Sequence, residues 1–223
     1  MKVEYGKTGS YLYLAGLVLT GIFLPTSRFG LSVTQFYLLA LWIFVGLKSF
    51  SVKGIWYNIK TRFSDFIHNK IAVVMASVYL LHFIGLIYTS DFQYAFKDLR
   101  IKLPLLFFPV ILSSMKPLSR KQFDAVLWFF IGSVFFVTIL GSIKYLRRDF
   151  YDVRELSVFV SHIRLSLCIV FSIFTLGYYF VKRNYSLWLK LFIVFLILWF
   201  MWQIVILESF IGILIIVALC FVL

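Results

Sequence analysis

Charge is scarce in this sequence: Asp, Glu, Lys and Arg make up 14% of its 223 residues, while 62% are apolar and 21% aromatic. Soluble globular domains run near a quarter charged and half apolar, so a water-soluble fold is excluded. Cysteine is nearly absent. The two that occur, Cys168 and Cys220, sit inside apolar runs, where a thiol acts as a small hydrophobe. They say nothing about redox compartment, and no CxxC spacing offers a metal site. No Walker loop, zincin helix or nucleophile elbow is present, which removes support from ATP hydrolysis, metalloprotease and serine-hydrolase chemistry. Neither a metal nor a cofactor is expected. Repeats, low-complexity linkers and a second domain are lacking too, and no run alternates strictly as a membrane β-barrel strand does.

What remains is a series of apolar runs, several of them near the roughly 20 residues a helix needs to cross about 30 Å of hydrocarbon. They predict an all-α fold, a polytopic transmembrane helical bundle forming a single domain over 1–223. Its eight helices are expected near 11–25, 31–47, 71–88, 103–114, 125–143, 158–181, 187–207 and 210–223. The start has a basic beginning and a short apolar core but no small-x-small cleavage site, so it reads as a retained first helix. The last run, FIGILIIVALCFVL, is too short to span comfortably and lacks a basic or aromatic anchor. That predicts a truncated part of a larger bundle. The stretch 48–70 is the longest polar one and reads as a basic loop attracted to anionic lipid.

The net charge of +13 raises the question of nucleic acid, but the basic residues gather between apolar runs and form no continuous stripe. No nucleic-acid partner is expected. Counted over the loops, Lys and Arg favour a cytoplasmic N-terminus, with residues such as Lys2, Lys7, Lys48, Lys53, Lys60 and Arg62 inside. On that topology Arg28, Lys97, Arg100, Lys102, Lys144, Arg147, Arg148 and Arg154 lie outside, an excess against the positive-inside trend. Tyr and Trp at the run ends, such as Trp56, Tyr145 and Trp188, fit the membrane interfaces.

Two segments hold most of the outer cations. In SDFQYAFKDLRIKLPLLFFPVILSS, residues 90–114, Asp98 and Lys102 can pair at i, i+4 while Arg100 projects elsewhere. Pro104 suits the first turn of a helix and Pro109 is expected to kink it. In KYLRRDFYDVRELS, residues 144–157, cations and anions nearly cancel, and a solvated loop with internal pairs is the plain alternative. Just beyond lies ELSVFVSHIRLSLCIVF, which places His162 and Arg164 at the mouth of an apolar run. An ionisable group within the bilayer costs on the order of 2.5–3.5 kcal/mol at mid-depth, so it calls for a partner or a task. Ser161, Arg164, Cys168, Ser172 and Thr175 share one side of that helix, with His162 and Ser166 on an adjoining ridge. Glu208 at the turn before the last run could pair with Arg164, and His82 lies towards the same face. The plain alternatives are a snorkelling Arg164, packed histidines at 162 and 82, and an ordinary turn residue at 208. Arginine's planar fork suits phosphate, so an anionic lipid-linked phosphate or diphosphate is the ligand this pattern fits.

The stretch LLHFIGLIYTSDFQYAFKDLRIKLPLLFFPVILSS, followed by VFVSHIRLSL and then ILESFIGILI, resembles the N-terminal half of O-antigen ligase and O-antigen polymerase type membrane proteins, particularly Bacteroidetes-type versions. The resemblance covers about residues 70–223. It implies a metal-independent glycosyltransferase of the bacterial inner membrane, multi-pass, that acts in polysaccharide and lipopolysaccharide biosynthesis. Its partners would be a polyprenyl-diphosphate-linked glycan donor, undecaprenyl diphosphate in the family, a lipid or glycan acceptor, and the surrounding membrane lipids. Diphosphate binding carries over onto Arg164, with Arg100 and Lys102 as further candidates and His162, Glu208 and His82 as supporting polar groups. The catalytic residue is unassigned, because the outer-loop histidine of the family has no counterpart in this sequence. Many relatives have Ser-Arg at the last turn, whereas here Ser209 lies between Glu208 and Phe210. The competing readings are a transporter or flippase-like protein and a non-catalytic membrane subunit.

Overall fold

The computed structural model describes residues 6–47, 51–148 and 151–222, with side chains up to residue 218. Lys2, Lys48 and the Cys220 side chain, named above, and Asp149 of the 144–157 stretch lie outside the described residues. The fold is all-α, and no strand occurs among the described residues. The helices are α1 (Lys7–Thr26), α2 (Arg28–Phe44), α3 (Val52–His68), α4 (Lys70–Gly85), α5 (Phe92–Lys102), α6 (Pro104–Ser114), α7 (Arg120–Leu146), α8 (His162–Lys182), α9 (Leu187–Ile206) and α10 (Phe210–Val222), with a short 3-10 turn at Val153–Leu156. By length and composition α1, α7, α8 and α9 can each cross a membrane, and α3 with α4 passes as a pair bent by 97°. This is a membrane protein built of transmembrane helices.

The long apolar runs became helices close to where the sequence places them. Two differences are informative. The basic loop expected over 48–70 is in fact mostly helix, since α3 occupies Val52–His68, and Asn69 then caps α4 by accepting from the Ala72 N–H at 3.3 Å. The break expected at Pro109 lies instead before Pro104. Asp91 caps α5 by accepting from the Tyr94 N–H at 2.9 Å, and Pro104 begins α6 at the position where a missing N–H is tolerated. Pro109 sits buried inside α6 without ending it, and its missing N–H leaves the Leu105 carbonyl without that helical partner.

The chain packs as two compact units, residues 1–17 with 33–119 and residues 18–32 with 120–223. In the first, Tyr13, Leu38, Trp42, Ile111 and Met115 form a core, and Trp42 donates its indole N–H to Ser114 Oγ at 2.7 Å. Gly16 lets α1 and α2 approach closely: a Cβ there would come within 2.6 Å of Leu38 Cδ2. In the second, α7, α8 and α9 bury Phe130, Val134, Val137, Ile169, Leu176, Ile193 and Phe200. Two polar links set the register of α9 on α7, Trp199 Nε1 to Thr138 Oγ1 at 3.0 Å and Gln203 Nε2 to Ser142 Oγ at 2.6 Å. In hydrocarbon such groups have no water to turn to, so interhelical pairing satisfies them.

Candidate functional site: an open basic end and a closed one

The same register brings four pieces of the second unit together at one end: the last turns of α7, the segment 151–161, the first turn of α8, and the α9–α10 turn. Gly141 is the contact point for the segment, since a Cβ there would meet the Leu156 carbonyl oxygen at 2.8 Å. Ser166 on α8 faces Gly212 on α10, where a Cβ would find Ser166 Cβ at 3.5 Å. Ser161 caps α8 by accepting from the Arg164 N–H at 3.4 Å, which fixes the start of the helix two residues before that arginine's guanidinium-bearing turn is complete. Two backbone positions here are left-handed without glycine, Arg148 at φ 53° and Glu208 at φ 46°. Each costs on the order of 1 kcal/mol and is held by its surroundings.

Part of the charge at this end cancels internally, as the loop reading foresaw. Lys144 Nζ lies 3.6 Å from Glu155 and donates to the Glu155 carbonyl at 3.2 Å, and Arg154 lies 3.9 Å from Asp152. Arg164, Arg147 and Arg148 do not join in. All three are exposed, and no hydrogen bond or ion pair to their guanidinium groups is found among the described residues. His162 is half-buried beside Arg164, while Ser166 and Ser172 are fully enclosed and Cys168 is buried. The polar stripe of α8 therefore points into the unit at its middle and opens to the surroundings at Arg164.

The pairing of Glu208 with Arg164 is not made: no ion pair joins them, and Glu208 is exposed on its left-handed turn, which turns the side chain outward from the packed Ser209. His82, Arg100 and Lys102 belong to the first unit. Lys102 is held by Asp98 at 2.6 Å, as the i, i+4 spacing indicated, whereas Arg100 is exposed and without such a partner. His82 is half-buried, with Nδ1 2.9 Å from the Val78 carbonyl and its ring stacked on Tyr79 at 6.5 Å.

The opposite end of the second unit carries a cluster that the sequence reading passed over. Asp124 on α7 accepts from the Tyr179 hydroxyl at 3.1 Å and from the Arg183 guanidinium, and Trp128 stacks on Tyr179 at 5.6 Å. The hydrogen bond that Arg183 donates to Asp124 raises the Arg183 pKa, so that guanidinium stays charged at any ordinary pH. The available signal was that Asp124 is the lone acid of α7. The first unit encloses Arg62, which the sequence placed in a basic loop: it is fully buried and bonded to Asn58 Oδ1 at 3.2 Å, the Val45 carbonyl and the Met115 sulfur.

Along the second unit runs an apolar groove of about 570 Å³ lined by Ile22, Thr26, Trp128, Phe129, Gly132, Ser133 and Phe136. A Cβ at Gly132 would meet nothing within 4 Å, so this glycine deepens the groove without being needed for packing. Among the described residues no group of three or more His, Cys, Asp or Glu could hold a metal ion. Compared with known proteins, the chain matches no protein-family model, no curated protein and no solved structure.

Proposed function

We propose that the protein is a metal-independent glycosyltransferase of the O-antigen ligase or polymerase type. It would take a glycan from a polyprenyl-diphosphate carrier at the periplasmic face of the bacterial inner membrane and pass it to a lipid or glycan acceptor. The observation that carries this reading is the state of Arg164: a guanidinium at the rim of a membrane helix, exposed and with no carboxylate partner among the described residues, at the end of the unit where α7 closes with Arg147 and Arg148. Charge left uncompensated at a low-dielectric rim suits an anion supplied from outside the chain, and a diphosphate offers oxygens that a planar fork can grip in pairs. The groove along Trp128, Gly132 and Phe136 supports the same reading, because a ligand with such a head also has a long hydrocarbon tail.

In such a reaction the chain's own cations do two things. They orient the glycosyl carbon of the donor towards the acceptor, and they stabilise the diphosphate as negative charge grows on it during departure. Arg100, exposed on α5 of the first unit, is a separate candidate for binding an anion, and Lys102 a weaker one because Asp98 already neutralises it. Breaks at Asn69 and Leu103 bring a carrier to mind, since transporters bind at interrupted helices. Both breaks lie in the first unit, whereas carriers of that kind place them in two corresponding halves.

The test is glycan transfer by the full-length protein in membranes, comparing wild type, Arg164→Ala and Arg164→Lys. Loss of one anion-stabilising donor is expected to lower transfer by about 100-fold or more in Arg164→Ala, with insertion and thermal stability unchanged. Arg164→Lys, which keeps the charge but loses the fork, should fall between. Wild-type transfer by Arg164→Ala would remove the assignment.

A further inference from the structure

We propose that α3 lies flat in the headgroup layer of an anionic leaflet, with Val52, Trp56, Phe63 and Ile67 in the acyl region and Lys53 and Lys60 on lipid phosphates. The helix carries three distinct sides. Asn58, Arg62 and Phe66 recur every fourth residue and are buried in the first unit. Val52, Trp56, Phe63 and Ile67 fall on one stripe about a third of a turn away, at roughly 100° per residue, and all four are exposed, Val52 at 84% and Trp56 at 69%. Lys53 and Lys60, one heptad apart and both exposed, border that stripe on the side away from the buried face.

The inner side fixes how α3 is rolled. Asn58 Nδ2 donates to the Ile43 carbonyl at 2.8 Å and Arg62 to the Val45 carbonyl, at the end of α2 where helix carbonyls lack partners of their own. Arg62 also reaches Met115 at the end of α6. A guanidinium at the negative end of a helix dipole is favourably placed. Thus α3 is pinned across the ends of α2 and α6, and at Asn69 the chain turns 97° into α4.

If α4 runs through the bilayer, a helix at right angles to it runs along the surface. With its inner side against the unit, the apolar stripe then faces the hydrocarbon and the lysines face sideways into headgroups. This is the arrangement of an interfacial amphipathic helix, and lysines beside the stripe are complementary to anionic lipid in particular. A second copy of the chain or a protein partner would call for no such row of cations.

The full chain, with Cys168 and Cys220 replaced by Ala, is reconstituted in nanodiscs of phosphatidylcholine with or without phosphatidylglycerol. Spin labels are placed singly at Phe63→Cys and Ser64→Cys. Expected is a Phe63 site reached by lipid-dissolved oxygen and shielded from a water-soluble nickel complex, with the reverse at Ser64. Adding Lys53→Gln and Lys60→Gln should lower the docked-to-undocked ratio roughly fivefold for each lysine in the anionic discs, and by far less in the neutral ones. Three results overturn the proposal: nickel access at Phe63 equal to that at Ser64, shielding of Phe63 from both reagents as a protein partner would give, or docking indifferent to phosphatidylglycerol.

Discussion

The two ends of the second unit use their carboxylates in different ways. At the end formed by the start of α7 and the close of α8, Arg183 is bonded to Asp124, Tyr179 bonds the other carboxylate oxygen, and Trp128 stacks over the tyrosine. That carboxylate is fully engaged inside the bundle, while Arg120, Lys121 and Lys182 at the same end are exposed to the surroundings. At the end formed by the close of α7 and the start of α8, carboxylates take up Lys144 and Arg154 but leave Arg147, Arg148 and Arg164 open. The difference teaches that charge in a membrane helix is not itself the mark of a site. A cation bonded to a carboxylate in its own bundle holds helices together, and on the proposed function it is the open Arg164, at the start of an apolar helix, that meets a ligand.

The comparison breaks most sharply if the closed end proves dispensable. Asp124→Ala leaves Arg183 without its counter-charge in a pair only about a quarter exposed, the side chains showing 25% and 21%. Because the lost counter-charge ties α7 to the end of α8, a lowered Tm in detergent is expected, a larger drop than an exposed surface pair would give. Arg164→Ala in the same assay should change stability by less than about 0.5 kcal/mol, as surface substitutions do. Equal losses from both would erase the distinction.

Next in size is Gly141→Val, which forces a branched side chain against the Leu156 carbonyl, already 2.8 Å from where a Cβ would sit. About 2 kcal/mol of destabilisation is expected from this overpacking, with faster hydrogen exchange across 153–160 as the segment lifts from α7. Unaltered exchange would show that the segment is not seated through this glycine. The smallest effect should come from Lys102→Ala in the first unit, whose i, i+4 partner Asp98 is about a third exposed. Such pairs contribute about 0.3–0.5 kcal/mol, so its Tm should stay close to that of wild type. A large drop would mean Lys102 does more than pair with Asp98.

What the sequence could disclose follows from how far each feature depends on neighbours distant in the chain. The runs that became α7, α8 and α9 are long and predominantly apolar, and the bilayer alone makes them helices. Lys102 and Asp98 needed only helical spacing. Arg164 was visible as a charge at the mouth of an apolar run, and its openness is consistent with that oddity. By contrast α3 read as a loop because its pattern is inverted: Asn58 and Arg62 turn inward to helix-end carbonyls while Trp56 and Phe63 turn out. Only the folded position of α2 and α6 explains that choice. Asp124 is the lone acid of α7 and went unremarked, and its partner Arg183 lies 59 residues further on, beyond any local rule. The Glu208 pairing failed on a backbone detail, a left-handed turn that local composition did not signal.

The central claim is that the open end of the second unit meets the extracytoplasmic side, where basic residues are out of place unless a ligand requires them. Tyr151, fully exposed in the segment between α7 and α8, reports on this directly. With Cys168 and Cys220 replaced by Ala, a membrane-impermeant maleimide applied to intact cells should label Tyr151→Cys as completely as it does after permeabilisation. Labelling only after permeabilisation would place Arg147, Arg148 and Arg164 in the cytosol and contradict the account.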